Sequence, residues 1–216
     1  NQYGSIIKNV CCLEVEVKKA GGGYSANLLK CVCLKGCECL LTDPAVYLFL
    51  VDKETLDKFI MESEKISEAE LKDRLEKLKD CWGKSKEELE KEFKDRLEKL
   101  KNCRISFQSR SYFPLYVGST DNFCRRFGEF ENSLMSGKNT PHVFGDKLHR
   151  YLSILQNFSS MKMCLVVFCT QTPDQAECIE HFILTDPNFR KVFNDNKSSC
   201  SLQDNQQQPF GKIAQS

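Results

Sequence analysis

With 216 residues, 41% hydrophobic and 28% charged, the chain is long enough to bury a core, and its composition excludes both a disordered polymer and a membrane-embedded protein. No stretch reaches the roughly 18 to 20 unbroken apolar residues of a membrane-spanning helix. A formal net charge of +1 creates no global field for nucleic acid, so any such partner must be met by local basic clusters. The length implies one elaborated domain or two small ones. The chain opens at Asn1 rather than Met, which reads as a fragment or a processed form.

Residues 1–42 read as a Cys-rich module, with Cys11, Cys12, Cys31, Cys33, Cys37 and Cys39 inside it. Alternation over residues 12–17 predicts a strand, and Gly21-Gly22-Gly23 a break. Cys31, Cys33, Cys37 and Cys39 can offer four thiolates to a structural Zn²⁺, although their spacing is no standard zinc-finger pattern. Disulfides or free thiols are the alternatives. The total of 13 cysteines is odd, so at least one thiol is unpaired, which points to an intracellular location, nuclear or cytoplasmic. Glycosylation triplets at Asn157 and Asn196 point to the alternative, secretion.

An apolar run at residues 45–51, after the Asp43-Pro44 turn, reads as a buried strand. Residues 54–103 are rich in Lys and Glu and contain an internal repeat. Leu71, Leu75, Leu78 and Trp82 make one apolar stripe, and Leu89, Phe93, Leu97 and Leu100 a second. With Gly83 as a break between them, two helices forming an antiparallel hairpin are predicted. Such a hairpin is expected to fold semi-independently, to be replaceable over roughly residues 64–103 by a Gly/Ser linker, and to be a candidate contact for a protein partner. Its equivalent cysteines, Cys81 and Cys103, fall near opposite ends of the pair, so no disulfide between them is expected.

Beyond residue 105 the pattern is mixed. A strand at residues 112–117 leads through Gly118 into a helix over residues 122–135. A further helix follows at residues 145–156, then a strand at 163–169. A last helix is announced by Thr172 as cap and Pro173 at its first position. Cys124, Cys164, Cys169 and Cys178 read as small core residues, and His142, His149 and His181 as too scattered for a metal cluster. Residues 191–216 read as a flexible tail.

The sharpest local signal is Tyr116-Val117-Gly118-Ser119-Thr120 running into a helix that carries Arg125 and Arg126. Helix-start amides and a guanidinium fork both favour an oxyanion. Tyr116-Val117-Gly118 resembles the second half of the motif that names the GIY-YIG nuclease superfamily. Arg126 stands eight residues after Gly118, where that family keeps a helical arginine. Ala45-Val46-Tyr47 resembles a degenerate first half, with Ala45 in place of the motif's Gly. Ala176, Glu180, Ile183 and Leu184 reproduce the spacing around the family's metal-binding Glu, and this register selects Glu180 over Glu177. The stretch at residues 146–155 is similar to the animal branch that carries ankyrin repeats and a LEM domain. Phe130 stands where the family often has a His.

The resemblance implies an α+β fold, a small central antiparallel sheet flanked by helices, over residues 43–190 with the hairpin at 54–103 inserted. It implies a DNA endonuclease that hydrolyses phosphodiesters with one Mg²⁺ or Mn²⁺ on Glu180. Arg126 would stabilise the developing charge, Tyr47 would take the proton of the attacking water, and Tyr116 would order water or phosphate. Gly118 and Arg125 would bind substrate; His149, beside Arg150, reads either as a further phosphate contact or as a structural or surface residue. A phenol with pKa near 10 is a poor base at neutral pH, so a cation or guanidinium must lower that of Tyr47. A DNA-binding or scaffold module that keeps the fold without catalysis is the rival reading.

Overall fold

The computed structural model describes residues 7–33, 42–106, 112–137, 142–155, 158–186 and 192–194. Five strands, β1 (Ile7–Ala20), β2 (Gly23–Cys33), β3 (Ala45–Asp52), β4 (Tyr112–Thr120) and β5 (Ser160–Thr170), form one sheet in the order β2-β1-β5-β3-β4. All four pairings are antiparallel. Six helices are found among the described residues: α1 (Lys53–Glu64), α2 (Glu68–Trp82), α3 (Lys86–Ser106), α4 (Phe123–Ser136), α5 (Val143–Leu155) and α6 (Pro173–Thr185). The class is α+β. No helix among the described residues is long and apolar enough to cross a membrane.

Strand alternation divides the core into two layers. Tyr47, Phe49 and Val51 turn to one face of the sheet, where they join buried side chains of α1 to α5. Val46 and Leu48 turn to the other face, where Ala176, Ile179, Ile183 and Leu184 of α6 cover them.

The separation of residues 1–42 as a module is corrected by the pairing of β1 with both β2 and β5. Cys11, Leu13, Val15 and Val17 alternate into the common core, and backbone pairing with a central strand leaves no boundary between modules. Cys37 and Cys39 lie outside the described residues, so the zinc reading rests outside them too. Cys11 and Cys178 each take part in a disulfide. Cys178 is therefore no free core thiol, and Cys124 is exposed; Cys169 alone of that set is a buried thiol.

Three helices, not two, connect β3 to β4. Asp52 caps α1, its carboxylate accepting from Thr55 N–H at 2.7 Å, and Ser67 caps α2. Gly83 ends α2 at φ +61°, a left-handed conformation open to glycine. The expected stripes are present, and besides facing each other they close onto the rest of the core. Leu71, Leu75, Trp82, Leu89, Phe93 and Leu100 belong to the same core as the strands and α5. Phe93 stacks on Tyr151 with ring centroids 5.1 Å apart. Arg150 of α5 bridges Asp146 and Glu92, and the guanidinium groups of Arg74 and Arg96 donate to the carbonyls of Ile154 and Val192. Apolar periodicity shows that a face is buried, but not against which neighbours, and here the hairpin shares its core with the sheet and α5. Neither Cys81 nor Cys103 is in a disulfide; Cys81 is exposed and Cys103 is buried beside the Pro114 carbonyl.

The tail reading is corrected for residues 192–194. Val192 and Phe193 are buried, and Phe193 N–H donates to Leu115 C=O at 3.1 Å. The Asn194 amide accepts from Val117 N–H at 3.0 Å and donates to Val117 C=O at 2.7 Å. β4 is an edge strand, and these contacts satisfy backbone groups that an edge otherwise leaves open.

Candidate active site

The register Tyr47↔Gly118 and Phe49↔Tyr116 between β3 and β4 brings together two tyrosines that are 69 residues apart in sequence (116 minus 47). Their ring centroids lie 6.1 Å apart. The phenol of Tyr47 lies across Gly118, where a Cβ would stand 2.5 Å from the Tyr47 oxygen and 2.9 Å from Tyr116 Cε1. Glycine is thus required here for space, not for its backbone angles. Gly118→Ala is expected to displace the Tyr47 ring and lower stability by about 1–3 kcal/mol, the usual cost of overpacking a closed core. A urea-denaturation midpoint equal to that of the parent chain would contradict this.

α4 supplies the cation. Phe123, Phe127, Phe130 and Leu134 are its buried stripe, and Asn122 caps its first turn by accepting from Arg125 N–H at 2.9 Å. This fixes Arg126 on the flank facing Tyr47. Its Nε–H donates to the Tyr47 oxygen at 3.2 Å, and Nη1 donates to Glu129 at 2.6 Å. Arg125 turns outward and is held by Asp121 and Glu129, each at 2.5 Å.

α6 supplies the carboxylate. Thr172 accepts from Gln175 N–H at 3.3 Å as its cap, with Pro173 first in the helix. Glu180 accepts from the Ser119 hydroxyl at 2.5 Å and from the Ser119 backbone N–H. Burial raises its pKa, against the pull of those donors, and the nearby charge of Glu177 raises it further. A cleft of about 220 Å³ opens between the starts of α4 and α6, lined by Ser119, Thr120, Asp121, Arg125, Arg126, Pro173 and Glu177.

Tyr47, Tyr116, Arg126 and Glu180 therefore share one neighbourhood. The charges of Arg126 and Glu180 are both felt at the two phenols. The pKa of Tyr47 nevertheless lies well above 10, because burial outweighs Arg126; that of Tyr116 is raised for the same reason. The guanidinium alone does not make Tyr47 a base at neutral pH.

His149, a candidate phosphate contact, is a structural residue instead. It is buried, its Nδ1–H donates to Leu134 C=O at 2.7 Å, and it packs edge-on to Tyr24 and Trp82. Two residues not anticipated do belong to the site. Ser119 follows Gly118 directly, so its place in the turn was the available signal. His142 touches Tyr47 at 3.2 Å, and no local pattern announces it.

Among the described residues, no group of three or more His, Cys, Asp or Glu side chains is placed to hold a metal ion. A cation here would take the Glu180 carboxylate as its protein ligand, with water and substrate oxygens completing the shell. A half-buried carboxylate with a raised pKa beside a second carboxylate fits that role, since a cation relieves both the burial and the repulsion. Comparison with family models, curated proteins and solved structures gives no match.

Proposed function

We propose that the chain is a divalent-metal-dependent DNA endonuclease of the GIY-YIG type, its α-helical segment α1–α3 occupying the connection between the two Tyr-bearing strands. The observation that carries this reading is the hydrogen bond from Arg126 to Tyr47, made beside Tyr116 and within reach of the Glu180 charge. In phosphodiester hydrolysis a water oxygen bonds to phosphorus as the ester P–O bond breaks. The water loses a proton and the leaving oxygen gains one.

Glu180 would hold Mg²⁺ or Mn²⁺, which would supply positive charge to the phosphoryl oxygens and the attacking water. Arg126 donates to the oxygens where charge develops, while Arg125 binds the DNA backbone at the rim of the cleft. Tyr116 orders the water, and Tyr47 receives its proton. Because burial keeps the Tyr47 phenol protonated against the pull of Arg126, its phenolate would need the added positive charge of the cation. Since the apolar stripes of α2 and α3 are buried, a protein partner would meet only their Lys/Glu faces. A structural Zn²⁺ on Cys31, Cys33, Cys37 and Cys39 stays a separate proposal, tested by elemental analysis. A DNA-cutting role favours a nuclear or cytoplasmic location, whereas the disulfides at Cys11 and Cys178 favour an oxidising compartment.

Nicking of supercoiled plasmid with Mg²⁺ or Mn²⁺, abolished by chelator, tests the activity. Arg126→Ala is expected to lower turnover by roughly 10²–10³-fold, as loss of a donor to developing charge typically does. Arg125→Ala is expected mainly to weaken binding, more so at high salt. Small and equal effects at both positions would leave the non-catalytic scaffold as the surviving reading.

A further inference from the structure

We infer that His142 is a positioning residue of this site: an imidazole whose proton is locked on Nε2 and which, with Arg126, holds the Tyr47 oxygen from two sides. The inference rests on the nuclease reading for the reaction it serves, but the clamp itself stands on geometry.

His142 immediately precedes the first residue of α5, and its carbonyl accepts Asp146 N–H at 3.2 Å, so it occupies the cap position. Its Nδ1 lies 3.3 Å from Gly145 N–H, one of the first-turn amides that lack a partner inside the helix. An amide N–H can only donate, so Nδ1 accepts and the proton resides on Nε2. Nε2–H in turn faces the Tyr47 oxygen at 3.2 Å. The capping bond of α5 therefore sets the tautomer that serves β3. Protonation of Nδ1 would set two N–H groups against each other at the positive end of a helix. Burial and the charge of Arg126 oppose it as well, bringing the pKa down to about 3.

A phenol oxygen accepts two hydrogen bonds and donates one. Arg126 Nε–H and His142 Nε2–H take both acceptor positions. The phenol hydrogen is left a third direction, on the side of Tyr116, whose ring centroid lies 6.1 Å from that of Tyr47. Ring contacts with Phe130 at 5.3 Å and Tyr116 at 5.9 Å keep the imidazole in its plane. When Tyr47 is a phenolate, both donors already point at the charge, so nothing has to reorganise. Phe130, at the place where the resemblance leads one to expect a His, forms part of the wall that holds this one.

His142→Asn separates the two roles, because Asn keeps the helix cap but is too short to reach Tyr47. The Asn variant is expected to fold, to keep its KM for supercoiled plasmid with Mn²⁺ within about twofold, and to lose roughly 10–100-fold in kcat, the usual effect of removing a group that orients a functional residue. His142→Gln, which returns an N–H near the Nε2 position, should recover part of the loss. Independently of cleavage, ring ¹⁵N spectra of the metal-free whole chain should show the neutral Nε2–H tautomer at pH 7 and pH 5. The Tyr47 ¹³Cζ resonance should move in the Asn variant. An Nδ1–H tautomer, an imidazolium at pH 5, an unmoved Tyr47 signal, or an unchanged kcat in a chain that cuts DNA would each overturn the inference. If the parent chain cuts nothing while the spectra are as expected, the nuclease reading falls and the clamp stands.

Discussion

Glu180→Gln is expected to abolish metal-dependent cleavage while leaving a chain at least as stable as its parent in chelator. Loss of activity follows from ligand chemistry: a neutral amide is a poor ligand for a hard divalent cation. The stability expectation follows from the sign of the pKa shift. A carboxylate whose pKa is raised on folding, here chiefly by burial, is easier to ionise in the unfolded chain. Stability from this group is therefore lost as pH rises from the unfolded pKa through the folded one, and at neutral pH the ionised side chain opposes folding. Gln removes that charge and still accepts from Ser119. Thermal unfolding at pH 7 should show an unchanged or raised Tm for the variant in chelator. Added Mn²⁺ should raise the Tm of the parent only, because binding to the native state alone stabilises it. Glu177→Gln, on the exposed rim of the cleft, should retain most activity. If Glu177→Gln is dead and Glu180→Gln cuts normally, the carboxylate is misassigned. A Tm that rises equally with Mn²⁺ in parent and Glu180→Gln would place the cation elsewhere.

The second large effect concerns the helical segment. Replacing residues 64–103 by a short Gly/Ser linker is expected to give an insoluble or unfolded chain, contrary to what the hairpin pattern predicts by itself. The replacement would uncover Tyr151, which stacks on Phe93, together with the surface of α5 and α1 that Leu71, Leu75, Leu89 and Leu100 close off. Arg150 would keep Asp146 but lose Glu92, leaving a buried cluster short of one negative charge. Each large apolar side chain buried contributes about 1.5–3 kcal/mol, and six of them come from this segment. Together they contribute about 9–18 kcal/mol on that scale, as much as a total stability of about 5–15 kcal/mol. Soluble yield and circular dichroism decide the matter: a soluble deletion variant with a cooperative transition would restore the picture of an independent insertion.

Much of the local structure was legible in the residues. Thr172-Pro173 marks the start of α6 and Asn122 that of α4, since capping needs only a side-chain acceptor and free amides within a few residues. Apolar runs located β3 and β5, alternation located part of β1, and two stripes with Gly83 between them located α2 and α3. Tyr47, Tyr116, Arg126 and Glu180 were singled out by the resemblance to the GIY-YIG motifs, and the sheet register and the two flanking helices set them side by side. What the residues alone could not show is what each face buries against. Hydrophobic periodicity carries no partner label, so β1 and β2 read as a separate module, and α2 and α3 as a free hairpin. His149 and His142 reveal the same limit in miniature. Both are single histidines among apolar residues, yet one meets the Leu134 carbonyl and the other the Tyr47 oxygen. Local order thus came from interactions within a few residues of chain. The membership of the site came from contacts such as Tyr47 with His142, 95 residues apart, which exist only once the sheet and both helix layers have closed.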